Sequence, residues 1–261
     1  MSYPFRQPRR AAIRPSPIFL GVLALAVATG GYVYAVGNTL TRTTQFLAFL
    51  FVVGAWIVSL CLHEFGHAFL AWRFGDREVE TRGYLTLNPL KYANWVLSLL
   101  LPVLFIMVGG IALPGGAVYL HHHYFRTKLQ RSLVSLIGPA ANAVLGVLLI
   151  LLARDSLIAN HRVFFAMVSF VASLQIMAAI LNVLPIPGLD GYGAIEPYLS
   201  PQTQRSFEPV KPFGMLGLFV LLQVASLNRF FFDIIYGIFS AVGGNRSAAS
   251  LGYDIMRFWI A

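Results

Sequence analysis

Residues 46–74 read FLAFLFVVGAWIVSLCLHEFGHAFLAWRF, and the only formal charges in the stretch are Glu64 and Arg73. A helix rises about 1.5 Å per residue, so a helix of this length exceeds the ~30 Å hydrocarbon core of a bilayer. The stretch is expected to cross a membrane as one helix. The rest of the chain has the same character. Of 261 residues, 57% are hydrophobic and 11% are charged, against about 25% charged in soluble domains. That balance points away from an ordinary soluble enzyme and towards a polytopic membrane protein.

Working outward, further apolar runs cover 17–36, 95–113, 133–153, 163–184, 213–225 and 230–242. The 95–113 run is broken by Pro102 and by Gly109 and Gly110. The last two runs are short, and read as two thin spans or a re-entrant hairpin. The expected fold is all-α, with about six transmembrane helices and short re-entrant or β-hairpin elements. Two weak strand signals support the hairpin elements: Val79, Thr81, Gly83 and Leu85 in partial alternation, and PGGAVYL at 114–120.

The net charge is +9, but the cations are scattered and form no basic stripe of the kind that binds nucleic acid. Cations fix topology instead, because cytoplasmic loops of membrane proteins collect Lys and Arg. With a cytoplasmic N-terminus, fifteen of the 19 Lys and Arg fall on that side, including Arg246 and Arg257. Four fall on the other side: Arg42, Arg154, Arg162 and Arg229. This count requires the 95–113 run to enter and leave on one side. The single cysteine, Cys61, rules out an intrachain disulfide and reads as a small packed hydrophobe.

The chemistry lies within the opening stretch. His63 and His67 are spaced i, i+4, which stacks both imidazoles on one helix face. Two such nitrogens can grip a Zn²⁺ ion at about 2.0–2.1 Å each. Glu64 projects beside them, placed to take a proton from a zinc-activated water and pass it to a leaving amine. Ionisable residues inside a membrane are costly and usually functional. A proton relay, or the ion site of a transporter or channel, is the other reading; it has no need of Glu64 as a base.

Catalytic zinc takes three protein ligands, so a third is needed. Ten Asp and Glu residues exist. Asp190 stands apart, because it follows an apolar run broken by Pro185, Pro187 and Gly188, where broken backbone can line a cavity. A solvated turn is the plainer reading of Asp190. Asp233 is the rival ligand, but Arg229 four residues earlier explains it as a local ion pair. The cluster His121, His122 and His123 reads as an exposed polar loop rather than a second metal site.

Three motifs together resemble the site-2 proteases, a family of intramembrane zinc metalloproteases. HEFGH at 63–67 is similar to the family's HExxH, NVLPIPGLDG at 182–191 to its NxxPxxxLDG, and GPAAN at 138–142 to its GPxxN. The resemblance implies one zinc ion per chain, held by His63, His67 and Asp190, with Glu64 as general base and acid. It implies that Asn182, and with it Asn142, holds the substrate strand, and that Gly138 and Pro139 shape the entry of a core helix. The substrates would be transmembrane proteins, cut near the cytosolic face of a bacterial inner membrane. The chain reads as a compact member without a PDZ or CBS domain: a basic tail at 1–16, a protease domain at 17–243 with its core at about 46–200, and an interfacial tail at 244–261.

Overall fold

The computed structural model describes residues 13–92, 124–153 and 161–260, together with Val103 and Met107. The 114–120 piece, the three adjacent histidines at 121–123 and the rest of the 95–113 run lie outside the described residues.

Four helices are long and apolar enough to cross a membrane. They are α1 (Pro17–Ala35), α2 (Arg42–Phe74), α4 (Lys128–Leu152) and α5 (Arg162–Val183). Three of the four long helices begin where the sequence supplies a cap or a proline, and α5 begins at Arg162 without a side-chain cap from His161. Ser16 accepts from the Phe19 amide ahead of Pro17, and Thr41 accepts from the Thr44 amide. Thr127 and Gln130 form a reciprocal capping box at the start of α4. Helix α2 stops at Gly75, whose φ of 117° suits glycine. Helix α5 stops ahead of Pro185, because the residue before a proline is pushed out of the helical region.

Helix α5 is the hub. It packs against α4 and α2, and 89% of its apolar window is buried, against 33% for α4. The neighbours approach closely over small residues, as membrane helices do. A Cβ on Gly54 would meet that of Ala26 at 3.1 Å, and one on Gly146 would meet Ile176 at 2.8 Å.

Between α2 and α4 the alternation at 79–85 does not form a strand, and no strand occurs among the described residues. A single helical turn, α3 (Glu78–Thr81), and a 3₁₀ turn (Tyr84–Thr86) stand there instead. Both turns bury their apolar residues, Val79, Tyr84 and Leu85, in one cluster with Cys61, Trp72, Tyr92 and Phe125. Val79 and the adjacent pair Tyr84 and Leu85 are buried while Thr81 is exposed, so burial follows the turns and not the alternation of a strand. Tyr92 and Phe125 flank the 95–113 run and share this cluster, so the chain leaves and returns at the same end of the bundle.

After α5 come α6 (Asp190–Ile195), α7 (Pro201–Phe207), α8 (Gly214–Leu221), α9 (Ala225–Ala241) and α10 (Arg246–Met256). The two short apolar runs become α8 and α9, bent by 100° at a short break, so that they make at most a fifth span. Four or five candidate spans lie among the described residues, and the 95–113 run counted towards the expected six lies outside them. Helix α10 docks on the first turns of α5: Gly252 lies against Ala166 and Phe170. Phe258 and Trp259 then pack on Phe46 and Phe49 at the start of α2. This is the end opposite the Cys61 and Trp72 cluster. Arg257, next to Phe258, was counted on the side of the basic tail but lies at the end of the bundle where α2 starts.

A side chain at 252 would press on the Ala166 backbone, with Ala166 C and Phe170 Cβ each 2.8 Å from the new Cβ. Replacing Gly252 with Val should cost about 1–3 kcal/mol, the usual penalty of overpacking. Thermal unfolding of the detergent-solubilised chain checks this, and an unchanged midpoint would show that α10 is not part of the cooperative fold.

Candidate active site

The site is assembled from α2, α4 and the break after α5. His63 and His67 lie on the buried face of α2, both under a tenth exposed. Their Nε2 atoms are 3.1 Å apart. Asp190 Oδ2 lies 3.2 Å from His63 Nε2 and 3.4 Å from His67 Nε2. Three donor atoms thus form a nearly equilateral triangle. A tetrahedral zinc ion with bonds of about 2.0–2.1 Å needs ligand atoms roughly 3.3–3.4 Å apart. Two imidazoles and a carboxylate are also a donor set zinc accepts. The structure brings together the three residues singled out as ligands, and they fit the metal.

The protonation of His67 follows from its second contact. Its Nδ1 is 2.6 Å from the Val134 carbonyl on α4. A carbonyl only accepts, so Nδ1 carries the hydrogen and Nε2 keeps its lone pair facing His63 and Asp190. Such outer contacts fix the ring of a metal-ligating histidine.

Gly138 and Pro139 do not shape the entry of α4, because the helix already begins at Lys128. Gly138 sits mid-helix, directly under the metal site. A Cβ there would lie 2.7 Å from His63 Nε2 and closer still to His67 Nε2. Glycine is what lets α4 reach the two rings. A glycine inside a helical apolar run usually has such a packing reason. That was the available signal, and it did not say what the glycine faces.

Asp190 opens α6, and LDG has a steric basis. A Cβ on Gly191 would strike the Val183 carbonyl at the end of α5. Gly188 has φ of 96°, which a side chain rarely adopts. From the α4 side, Ser132 Oγ donates to the Ala194 carbonyl at 2.6 Å.

Glu64 is 2% exposed and follows His63 on α2. Asn142 is buried one turn beyond Gly138, on the same face of α4. Asn182 is buried in the last turn of α5, and its Nδ2 donates to its own helix at Ala178 O, 3.0 Å. Asp233 lies in α9, outside the donor triangle. Among the buried polar residues that the sequence did not single out is Gln175 on α5, fully buried, whose Nε2 donates to Ser59 Oγ at 2.9 Å, one turn before His63. An amide in an apolar run gives no hint of its partner.

Over 255 residues, covering 98% of both chains, the sequence is 52% identical to a Mycolicibacterium smegmatis protein, Rip2, whose name describes a zinc metalloprotease. It is 49% identical over 251 residues, 96% of both chains, to the Mycobacterium tuberculosis protein of the same name. It is 29% identical over 203 residues to YwhC of Bacillus subtilis, also named as a zinc metalloprotease, covering 71% of this chain and 89% of that one. No family model and no solved structure matches.

Proposed function

The chain belongs to the site-2 protease family of zinc metalloproteases, and from that premise we propose that it hydrolyses peptide bonds in or near the transmembrane segments of other proteins. The observation that carries this reading is the donor triangle of His63, His67 and Asp190, set between helices apolar enough to span a bilayer. By the 1.5 Å rise per residue, the two histidines lie roughly 10–16 Å from the end of α2. The site is then within the membrane but near one face. The charge count makes that face the cytosolic one, with the N-terminus on the same side.

A zinc ion at the triangle supplies a Lewis acid that polarises the scissile carbonyl and lowers the pKa of water towards 7. The chain's own residues do the rest. Glu64 accepts the proton of the attacking water and returns it to the leaving amine nitrogen. His67, pinned by Val134, keeps its Nε2 lone pair turned inwards. Asn142 and Asn182, on α4 and α5, hold the extended substrate strand. Their amides suit this task, since each offers both a donor and an acceptor to a peptide backbone.

A substrate helix hides its amides in its own hydrogen bonds, so it must open before it is cut. Proline costs a helix interior about 3 kcal/mol relative to alanine, and glycine about 1. Where opening limits the rate, one proline near the cut site should speed cleavage by up to roughly a hundredfold. The test is reconstitution of the chain in liposomes with paired substrates, one helix-stabilised and one carrying the proline. Cleavage that stops on chelation, returns with zinc and favours the proline substrate is expected. Equal rates for the pair would remove the unwinding step, and cleavage indifferent to chelation would remove the proposed chemistry.

A further inference from the structure

Asp190 is the most exposed of the three candidate ligands, with 24% of its side chain accessible against 7% and 6% for the histidines. It is also carried by the weakest scaffold. The histidines belong to a helix of 33 residues, whereas Asp190 opens a helix of six, too short to stand alone. The segment before it contains two prolines and Gly188. Something outside this stretch must hold it.

From α4, Ser132 grips the far end of α6 at Ala194. On the other side lies the 3₁₀ segment Glu208–Phe213, with Lys211 in its middle. The Lys211 carbonyl stands where a Cβ of Gly188 would be, and the Pro187 carbonyl stands where a Cβ of Gly214 would be. The two backbones therefore touch just before Asp190. The Lys211 side chain reaches the other end of α6. Its Nζ lies 2.6 Å from Glu196 Oε1 and 2.8 Å from Glu208 Oε2. On the way it passes the ring of Tyr192, 5.8 Å from the centroid. Lys211 and Glu196 are 27% and 19% exposed, so solvent screens this pair less than a surface bridge.

We propose that Lys211 is a positioning residue for the metal site: it clamps the Asp190 element from both ends, by its backbone before Asp190 and by its ammonium after it, and so holds the third ligand against the two histidines. The proposal rests on the zinc reading of the triangle. The 208–213 segment has prolines at 209 and 212. Each removes a backbone donor, and the Lys211–Glu196 ion pair supplies a side-chain tie between this segment and the end of α6.

The experiment measures zinc affinity of the full chain in detergent, by competition with a chelator, alongside kcat and KM at saturating zinc. Lys211→Met should weaken zinc binding about ten- to a hundredfold, the usual effect of losing a residue that supports a metal ligand. Excess zinc should restore most of its cleavage. Lys211→Arg should stay within a few-fold of wild type. Glu196→Gln, nearly isosteric, should reproduce the loss, and should carry the test alone if Lys211→Met does not fold. Combining Glu196→Gln with Lys211→Met should add little. Wild-type zinc affinity in Lys211→Met, or in Glu196→Gln where only that variant folds, would overturn the proposal, even with a lowered melting point. If the wild-type chain itself bound no zinc, the triangle reading would fail first, and the two failures are told apart.

Discussion

Replacing Glu64 with glutamine is expected to reduce cleavage by about 10²–10⁴-fold while leaving zinc bound. The size comes from general acid–base catalysis, which contributes that range when a positioned side chain moves the proton. Glutamine has nearly the shape of glutamate, so the surroundings of α2 need not repack around it. The triangle of His63, His67 and Asp190 contains no atom of Glu64, so the metal keeps its three protein ligands. The residue is 2% exposed, and an ionisable side chain at this depth of an apolar helix is usually kept for function and not for packing. The near-isosteric variant should therefore still fold. Zinc content, thermal midpoint and cleavage rate, measured on one preparation, separate the possibilities. Zinc retained with activity lost fits a proton carrier. Zinc lost together with activity would make Glu64 part of the metal's support, and full cleavage would remove Glu64 from the mechanism. The same variant also addresses the transporter reading, which has no need of a base at this position.

The long helices were legible because their signal is local: each apolar run long enough to span a membrane became a helix where the chain is described, with boundaries set by Ser16, Thr41, Thr127 and Gly75. What packs against what was not legible. Helices α4 and α5 read as equally apolar, yet the share buried differs as 33% against 89%. In a bilayer, lipid and protein are both apolar, so hydrophobicity does not distinguish the hub from the rim. The docking of α10 was hidden for a similar reason. A short helix bearing Tyr253, Met256, Phe258 and Trp259 beside Arg257 suits a lipid interface as well as a groove on α5. The candidate site shows the same divide. The spacing of His63 and His67 is a property of one helix, and the proline break before Asp190 is a property of one segment, so both could be read. Lys211 could not, because its meaning depends on Gly188 and Glu196 meeting it in space.

Gly138 is the position where this divide has the largest consequence. Replacing it with valine should abolish zinc binding, and alanine should weaken it by about a hundredfold or more. The methyl of alanine would begin 2.7 Å from His63 Nε2 and nearer to His67 Nε2. Real contacts at such positions are not made, so something must move. His67 is a poor candidate for retreat, since its Nδ1 is held at 2.6 Å by Val134, one turn before Gly138 on the same helix. Moving α4 away would carry Val134 with it and release the ring. Either response spoils a triangle whose sides are 3.1, 3.2 and 3.4 Å. Gly66 provides the internal control. It lies in the same HEFGH stretch and faces the same helix, but a Cβ there would meet Ile137 at 3.6 Å, an ordinary contact. Gly66→Ala should bind zinc and cleave substrate within a few-fold of wild type. Equal losses in the two alanine variants would mean that the α2–α4 interface tolerates no added methyl anywhere. Loss confined to position 138 is the outcome expected if that glycine exists to make room for the metal's ligands.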